Sequence, residues 1–317
     1  MTVKRFKALG LLCLILPTIG WPIAAGARDK SYGLEPRRIA ADTYVFEGAR
    51  EHFTSANGGN ILNSGFIATG DGVIVVQSGP SRRYGEEMRA AIGKVTRRPI
   101  ARVFVSNLHP DYFLGSQAFA DAPIAALPGT IDGIRSDGRA VTENMYRLLG
   151  DWMRGTDAGP PTEPVLGATV VQGGHRLRLM PLAGHTAADL AIFDETTGVL
   201  FAGGLVFSDR APTTPHADIA RWLLSLDELE ALDIAVLVPN HGTIRTDEAA
   251  IGQTRDYLTW LDATLRASAE AGLDMNEVMA IEIPERFSVL SVLREEFTRS
   301  VAHLYPKIEQ SVLPRVN

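Results

Sequence analysis

Three apolar, strand-like runs in this chain each end in a loop that carries a histidine. Val103-Phe104-Val105 leads into Asn107-Leu108-His109-Pro110-Asp111-Tyr112. Leu177 to Leu182 leads into Gly184-His185-Thr186, and Val236-Leu237-Val238 leads into Pro239-Asn240-His241-Gly242. Apolar runs closed by glycine, proline, asparagine or aspartate read as strands with turns. Side chains at strand ends collect on one rim of a sheet sandwich, which is how residues far apart in sequence build one pocket. The pattern predicts that His109, Asp111, His185 and His241 meet in a common cavity.

The rest of the chain supplies the frame. Thr43 to Phe46, Ile61 to Ala68 and Val73 to Val76 read as strands, divided by Asn57-Gly58-Gly59-Asn60 and Gly70-Asp71-Gly72. Tyr84 to Val95 reads as a helix with Met88, Ala91, Ile92 and Val95 on one stripe. Thr142 to Arg154 reads as another, followed by a Gly/Pro-rich connection, Gly155 to Pro164. Strands follow at Thr169 to Val171, Leu177 to Leu182, Leu190 to Phe193, Val199 to Ala202 and Val236 to Val238. Asp218 caps a helix to about Ala231, Ile251, Leu258, Leu261 and Leu265 mark a long one, and Val292 to Tyr305 marks the last. Two halves of strands followed by helices predict two sheets packed face to face with helices outside.

Composition narrows the function classes. With 37 acidic and 31 basic residues the net charge is −6, which argues against nucleic acid or an anionic membrane surface as partner. Lys4, Arg5 and Lys7 precede an apolar stretch from Ala8 to Ile19, and Ala25-Gly26-Ala27 follows: the layout of an export signal cleaved near Ala27. The apolar run is shorter than the roughly 20 residues that span a bilayer, and no later segment qualifies. Cys13, the one cysteine, lies in this leader, so the mature chain has no thiol chemistry. The expected organisation is a signal peptide over 1–27, a linker over 28–37, a core over 38–246 and C-terminal helices over 247–317 packed on the same domain.

Histidines with a carboxylate form a zinc-type donor set, because neutral imidazole and carboxylate oxygen suit that ion. His109, Asp111, His185 and His241 are the candidate ligands. The alternative for His109 and Asp111 is a hydrogen-bonded pair that fixes the loop. His52, His175 and His303 carry no expected role.

These loops, in this order, resemble the metallo-β-lactamase superfamily, whose first motif is His-x-His-x-Asp-His. Its later ligands lie in a Gly-His-Thr-like loop, a Gly-Asp turn and a Gly-His-Gly-like loop. Further stretches resemble the quinoprotein relay system zinc metallohydrolases of type 1. They are Asn57 to Asn60, Ser78-Gly79-Pro80-Ser81-Arg82-Arg83-Tyr84-Gly85, Asp151-Trp152-Met153-Arg154-Gly155, Arg210 to Asp218, Thr254 to Leu258 and Leu273 to Met279. The resemblance covers about residues 38–307. It implies an α/β (α+β) chain folded as an αββα four-layer sandwich and acting on a small molecule. It also implies a periplasmic setting beside a quinoprotein dehydrogenase system with its pyrroloquinoline quinone and cytochromes, and it puts His216 and Asp209 in a family-like loop near the pocket, in reach of a substrate.

Four positions depart from that pattern. Asn107 and Tyr112 stand where the motif has its first and last histidines. Gly204 stands where a bridging aspartate belongs, and Gln77 where a supporting aspartate does. In an intact member zinc lowers the pKa of bound water to about 7, and the residue at position 111 orients the resulting hydroxide; Asp111 is thus the candidate catalytic residue. A four-ligand zinc site is worth roughly 10–16 kcal/mol, so each ligand carries about 3 kcal/mol and losing one weakens binding on the order of a hundredfold. The set implies at most one weakly held zinc. Tyr112 reads as a plug in the vacated second site rather than an acid, and Asn107 as a hydrogen-bond partner rather than a ligand. Two readings follow: a hydrolase using one residual metal, or a non-catalytic binding or accessory protein.

Overall fold

Strand residues alternate between two different cores, and that alternation sets the layers. The computed structural model describes Thr2 and residues 30–312; the leader, its cleavage point and Cys13 lie outside the described residues. The first sheet runs in chain order: β1 (Arg37–Ala40), β2 (Thr43–Phe46), β3 (Ser64–Ala68), β4 (Val73–Val76), β5 (Ile100–Val105), β6 (Ile124–Ala126) and β7 (Glu163–Pro164). Strands β1 to β4 are antiparallel. From β4 to β7 the pairing is parallel, which demands crossover connections. Helices α1 (Arg82–Val95) and α3 (Pro128–Leu149) supply two of them, and the short α2 (Pro110–Phe113) sits in the loop after β5.

The second sheet starts with β8 (Thr169–Gln172), β9 (His175–Leu182), β10 (Asp189–Asp194) and β11 (Val199–Phe201), all antiparallel. The chain then forms β12 (Phe207–Ser208) and α4 (Ile219–Glu230), and returns as β13 (Val236–Val238) parallel to β11. Strand β14 (His241–Gly242) pairs with β12. Helices α5 (Ala249–Glu270), α6 (Met275–Met279) and α7 (Leu293–Val312) complete the order. Among the described residues no helix is long and apolar enough to cross a membrane.

Phe66, Val73, Val75, Val103 and Val105 face outward onto Tyr84 and Met88 of α1 and Ile131 and Met145 of α3. Their neighbours Ile67, Ile74, Val76 and Phe104 face inward onto Leu177, Leu179, Leu190 and Phe201 of the second sheet. That sheet turns Met180, Leu182, Ala191 and Leu200 toward Trp222, Leu258, Leu261 and Val301 of α4, α5 and α7. Each large side chain buried this way contributes about 1.5–3 kcal/mol. A one-residue slip would exchange the two faces, so the register is fixed. The result is the four-layer αββα sandwich that the sequence pattern predicts.

Two boundaries differ from the sequence reading. The helix expected from Thr142 begins at Pro128, fourteen residues earlier, and ends at Leu149. Gly129, Gly133 and Gly138 obscure its first turns, since glycine disfavours helix interiors. They are there for close packing: a Cβ would come within 3.0 Å of Ala188 at Gly129, 3.0 Å of Leu108 at Gly133 and 3.1 Å of Ala158 at Gly138. The strand expected from Ile61 begins at Ser64. The preceding residues peel away because Asn63 Nδ2 donates to the carbonyls of Pro239 (3.0 Å) and Gly242 (2.8 Å), which ties this segment to the His241 loop.

Candidate functional site

The loop after β5 is organised by Asn107. Its Oδ1 accepts the backbone N–H of His109 (3.0 Å), and its Nδ2 donates to Asp189 Oδ1 (3.2 Å). Asp189, fully buried at the start of β10, also accepts from the backbone N–H (2.7 Å) and hydroxyl (3.0 Å) of Thr186. It thereby clamps the His185 loop to the His109 loop. Burial raises its pKa to about 7, and the Thr186 hydrogen bonds oppose that rise. Gly184 holds φ +136°, and a Cβ there would lie 2.2 Å from Trp222 Cα, so only glycine brings this loop so close to α4. His185 packs edge-on against Trp222, with ring centroids 5.0 Å apart.

Three imidazoles are linked in series. His185 Nε2 lies 3.0 Å from His109 Nδ1, and His109 Nε2 lies 2.9 Å from His216 Nδ1. Burial lowers the pKa of His185 to about 3 and that of His109 well below the usual value, with the neighbouring imidazoles adding to the effect. Both rings are therefore neutral near pH 7, and each link is one N–H donating to one bare nitrogen.

A second pair sits beside them. His241 Nδ1 donates to the carbonyl of Ile61 (2.7 Å), which leaves Nε2 as an acceptor 3.4 Å from Asp111 Oδ2. That separation is too long for a good hydrogen bond, and Asp111 Oδ2 has no hydrogen-bond partner although it is buried. Burial raises the Asp111 pKa to about 7.

The departing positions explain how the site is filled. Tyr112 is fully buried in the core beneath α1 and α3, and burial pushes its phenol pKa well above the ordinary value. It does not line the cavity; its ring belongs to the core between the first sheet and its helices. Gln77 holds φ +65°; its Nε2 donates to Ser106 Oγ (2.7 Å) and its Oε1 accepts from the Ser106 N–H (3.2 Å), fixing the end of β5. At Gly204 a Cβ would lie 2.1 Å from His185 Cδ2 and 2.7 Å from Asn107 Nδ2. The ring of His185 and the amide of Asn107 stand where a side chain at position 204 would go.

His109, Asp111, His185 and His241 all line one cavity of about 540 Å³. Sequence reasoning missed several of its other walls. His52, expected to have no role, lines it, with Nδ1 3.6 Å from Glu296 Oε1. Arg210 and Arg299 line it as well. Buried Arg210 is paired with buried Glu296 at 3.1 Å. The one available signal was the position of Arg210 at the head of the family-like stretch 210–218. His216 lines the cavity too, whereas Asp209 does not. Its carboxylate accepts from Arg245 (2.9 Å) and from Thr243, so it braces the β12–β14 region. His175 bonds Asp194 across the β9–β10 pair.

A tetrahedral zinc needs three or four donors at about 2.0–2.3 Å. Among the described residues no group of three or more His, Cys, Asp or Glu side chains is arranged to hold a metal ion. The donors instead fall into two pairs, His109 with His185 and Asp111 with His241. Both side-chain atoms of Asn107 are engaged elsewhere, the Tyr112 phenol is neutral, and Gly204 contributes nothing. These residues do not fit a two-metal centre.

The metallo-beta-lactamase superfamily model matches residues 57–241. The chain belongs to that superfamily. Its fold is shared with a metallo-beta-lactamase from Pontibacter korlensis (TM-score 0.58, 21% identity), over 71% of this chain and 99% of that one. Metallo-beta-lactamase IND-7 is similar over 73% of this chain and 100% of its own (TM-score 0.58, 18% identity). A linear primary-alkylsulfatase from a Pseudomonas species is 22% identical over 295 residues, covering 78% of this chain and 55% of the relative. This chain thus spans about half the length of that relative.

Proposed function

We propose that this is an exported, periplasmic, hydrolase-like member of the metallo-β-lactamase superfamily that binds a small organic molecule in its cavity without two-zinc chemistry. The carrying observation is the contact of Gly204 with His185, where a Cβ would lie 2.1 Å from Cδ2. The bridging position holds no carboxylate, and the space is filled by a ring that should itself be a ligand. An accessory role in a periplasmic quinoprotein dehydrogenase system is part of this reading, and the stretches resembling the quinoprotein relay metallohydrolases support it. Elemental analysis of purified protein after dialysis tests it. We expect well under one equivalent of zinc; two retained equivalents would overturn the reading.

A second reading, hydrolysis with one weakly held zinc, is favoured by a separate observation. His109 Nδ1 and His185 Nε2 face each other at 3.0 Å, and Asp111 Oδ2 lines the same cavity unpartnered. About one equivalent of retained zinc, together with turnover of a β-lactam, a thioester or a linear primary alkyl sulfate, would select it. The last substrate is the one named for the Pseudomonas relative.

A further inference from the structure

Two groups of side chains with different chemistry line the cavity. Leu108, Val141, Met145 and Leu148 line one part of it, the last three from α3, and Leu148 is 43% exposed there. Arg210, Arg299, His52 and His216 also line the cavity. Arg210 is pinned by Glu296 (3.1 Å) and by the Thr213 hydroxyl (3.1 Å), yet its buried Nε has no hydrogen-bond partner. Arg299 approaches Glu296 Oε1 only at 3.9 Å, an oxygen already taken by Arg210 and Thr213, and its side chain is 46% exposed. Among the described residues Asp111 is the one carboxylate in the lining.

From this juxtaposition we infer that the cavity takes an organic anion. Its carboxylate or sulfate head sits at Arg299 and Arg210, and its apolar body of several carbons lies along Leu108, Val141, Met145 and Leu148. The inference rests on the small-molecule reading above and names the ligand class for it. A neutral ligand would leave the Arg299 guanidinium with only its long 3.9 Å approach to Glu296, and a cation would be repelled by it. A short anion such as acetate would leave the α3 surface wet. A charge-assisted bond to a guanidinium is among the stronger polar contacts, and each buried methylene adds apolar area removed from water, so head and tail both count.

Titration calorimetry of the full chain in EDTA tests this with four probes: octanoate, octan-1-ol, octyltrimethylammonium and acetate. Octanoate is expected to bind at least tenfold more tightly than each of the others. Arg299→Gln, at an exposed position that does not support the core, is expected to weaken octanoate about tenfold and leave octan-1-ol unchanged. Leu148→Asn is expected to weaken octanoate several-fold. Equal affinity for octanoate and octan-1-ol, or an unchanged octanoate affinity in Arg299→Gln, would overturn the ligand class alone. Silence from all four probes would sink the small-molecule reading with it.

Discussion

The ring of His185 occupies the space that a side chain on Gly204 would need, with His185 Cδ2 2.1 Å and Asn107 Nδ2 2.7 Å from the virtual Cβ. Gly204→Asp alone should therefore lose about 1–3 kcal/mol, the usual cost of overpacking, in urea denaturation with EDTA present, and should bind no additional zinc. Adding Asn107→His and Tyr112→His changes the balance. A complete zinc site contributes roughly 10–16 kcal/mol, enough to turn His185 aside, and the triple variant is expected to hold two equivalents. A folded triple variant with no added zinc by elemental analysis would show that these are not the vacated ligand positions.

The strand-end histidine loops were legible because each follows a run whose burial is written in its residues: Val103-Phe104-Val105 and Leu237-Val238 are buried throughout. Their meeting in one cavity follows from sheet geometry. Arg210, Arg299 and His52 were not legible, because each reaches the cavity from an element whose placement depends on packing of α7 and of the 48–63 segment. The early turns of α3 were hidden for a local reason: three glycines chosen for close contact lower the apparent helix propensity. The hydrogen-bonding role of Asn107 was readable, since an amide is a poor replacement for an imidazole ligand and a ready donor and acceptor, whereas the burial of Tyr112 in the outer core depends on how α1 and α3 pack.

Two glycines in α1 should respond with opposite signs to the same substitution. Alanine is favoured over glycine in a helix by about 1 kcal/mol. Gly93 has nothing within 4 Å of a new Cβ, whereas at Gly85 a Cβ would meet the Gly115 carbonyl oxygen at 2.2 Å. Gly93→Ala should raise the thermal midpoint by a few degrees, and Gly85→Ala should lower it. If both raise it, the α1 packing against the 115 loop is wrong.

Glu296 is fully buried and neutralises buried Arg210. Glu296→Ala would leave that guanidinium unpaired in the interior, a loss on the order of 3–5 kcal/mol. Replacing both partners with apolar residues, Arg210→Met and Glu296→Leu, removes the stranded charge and should recover most of the loss. Urea denaturation of the two variants separates a charge effect from a packing effect. A double variant as unstable as Glu296→Ala would assign the loss to shape.

Stability should carry opposing pH terms from the two loops. Asp189 has its pKa raised by burial to about 7, above its unfolded value of about 3.9. It keeps a proton in the fold that the unfolded chain has lost, so its contribution is full below pH 4 and falls away as pH rises toward 7. His185, lowered by burial to about 3, works the other way: the unfolded ring takes up a proton below about pH 6.5, so stability declines as pH falls from there toward 3. Asp189→Asn removes only the first term. In thermal melts in EDTA this variant should gain steadily on the wild type between pH 4 and 7, while its own midpoint still climbs because the buried histidines remain. A constant offset between the two melting curves across that range would mean that Asp189 is ionised throughout and that its hydrogen bonds to Thr186 outweigh its burial.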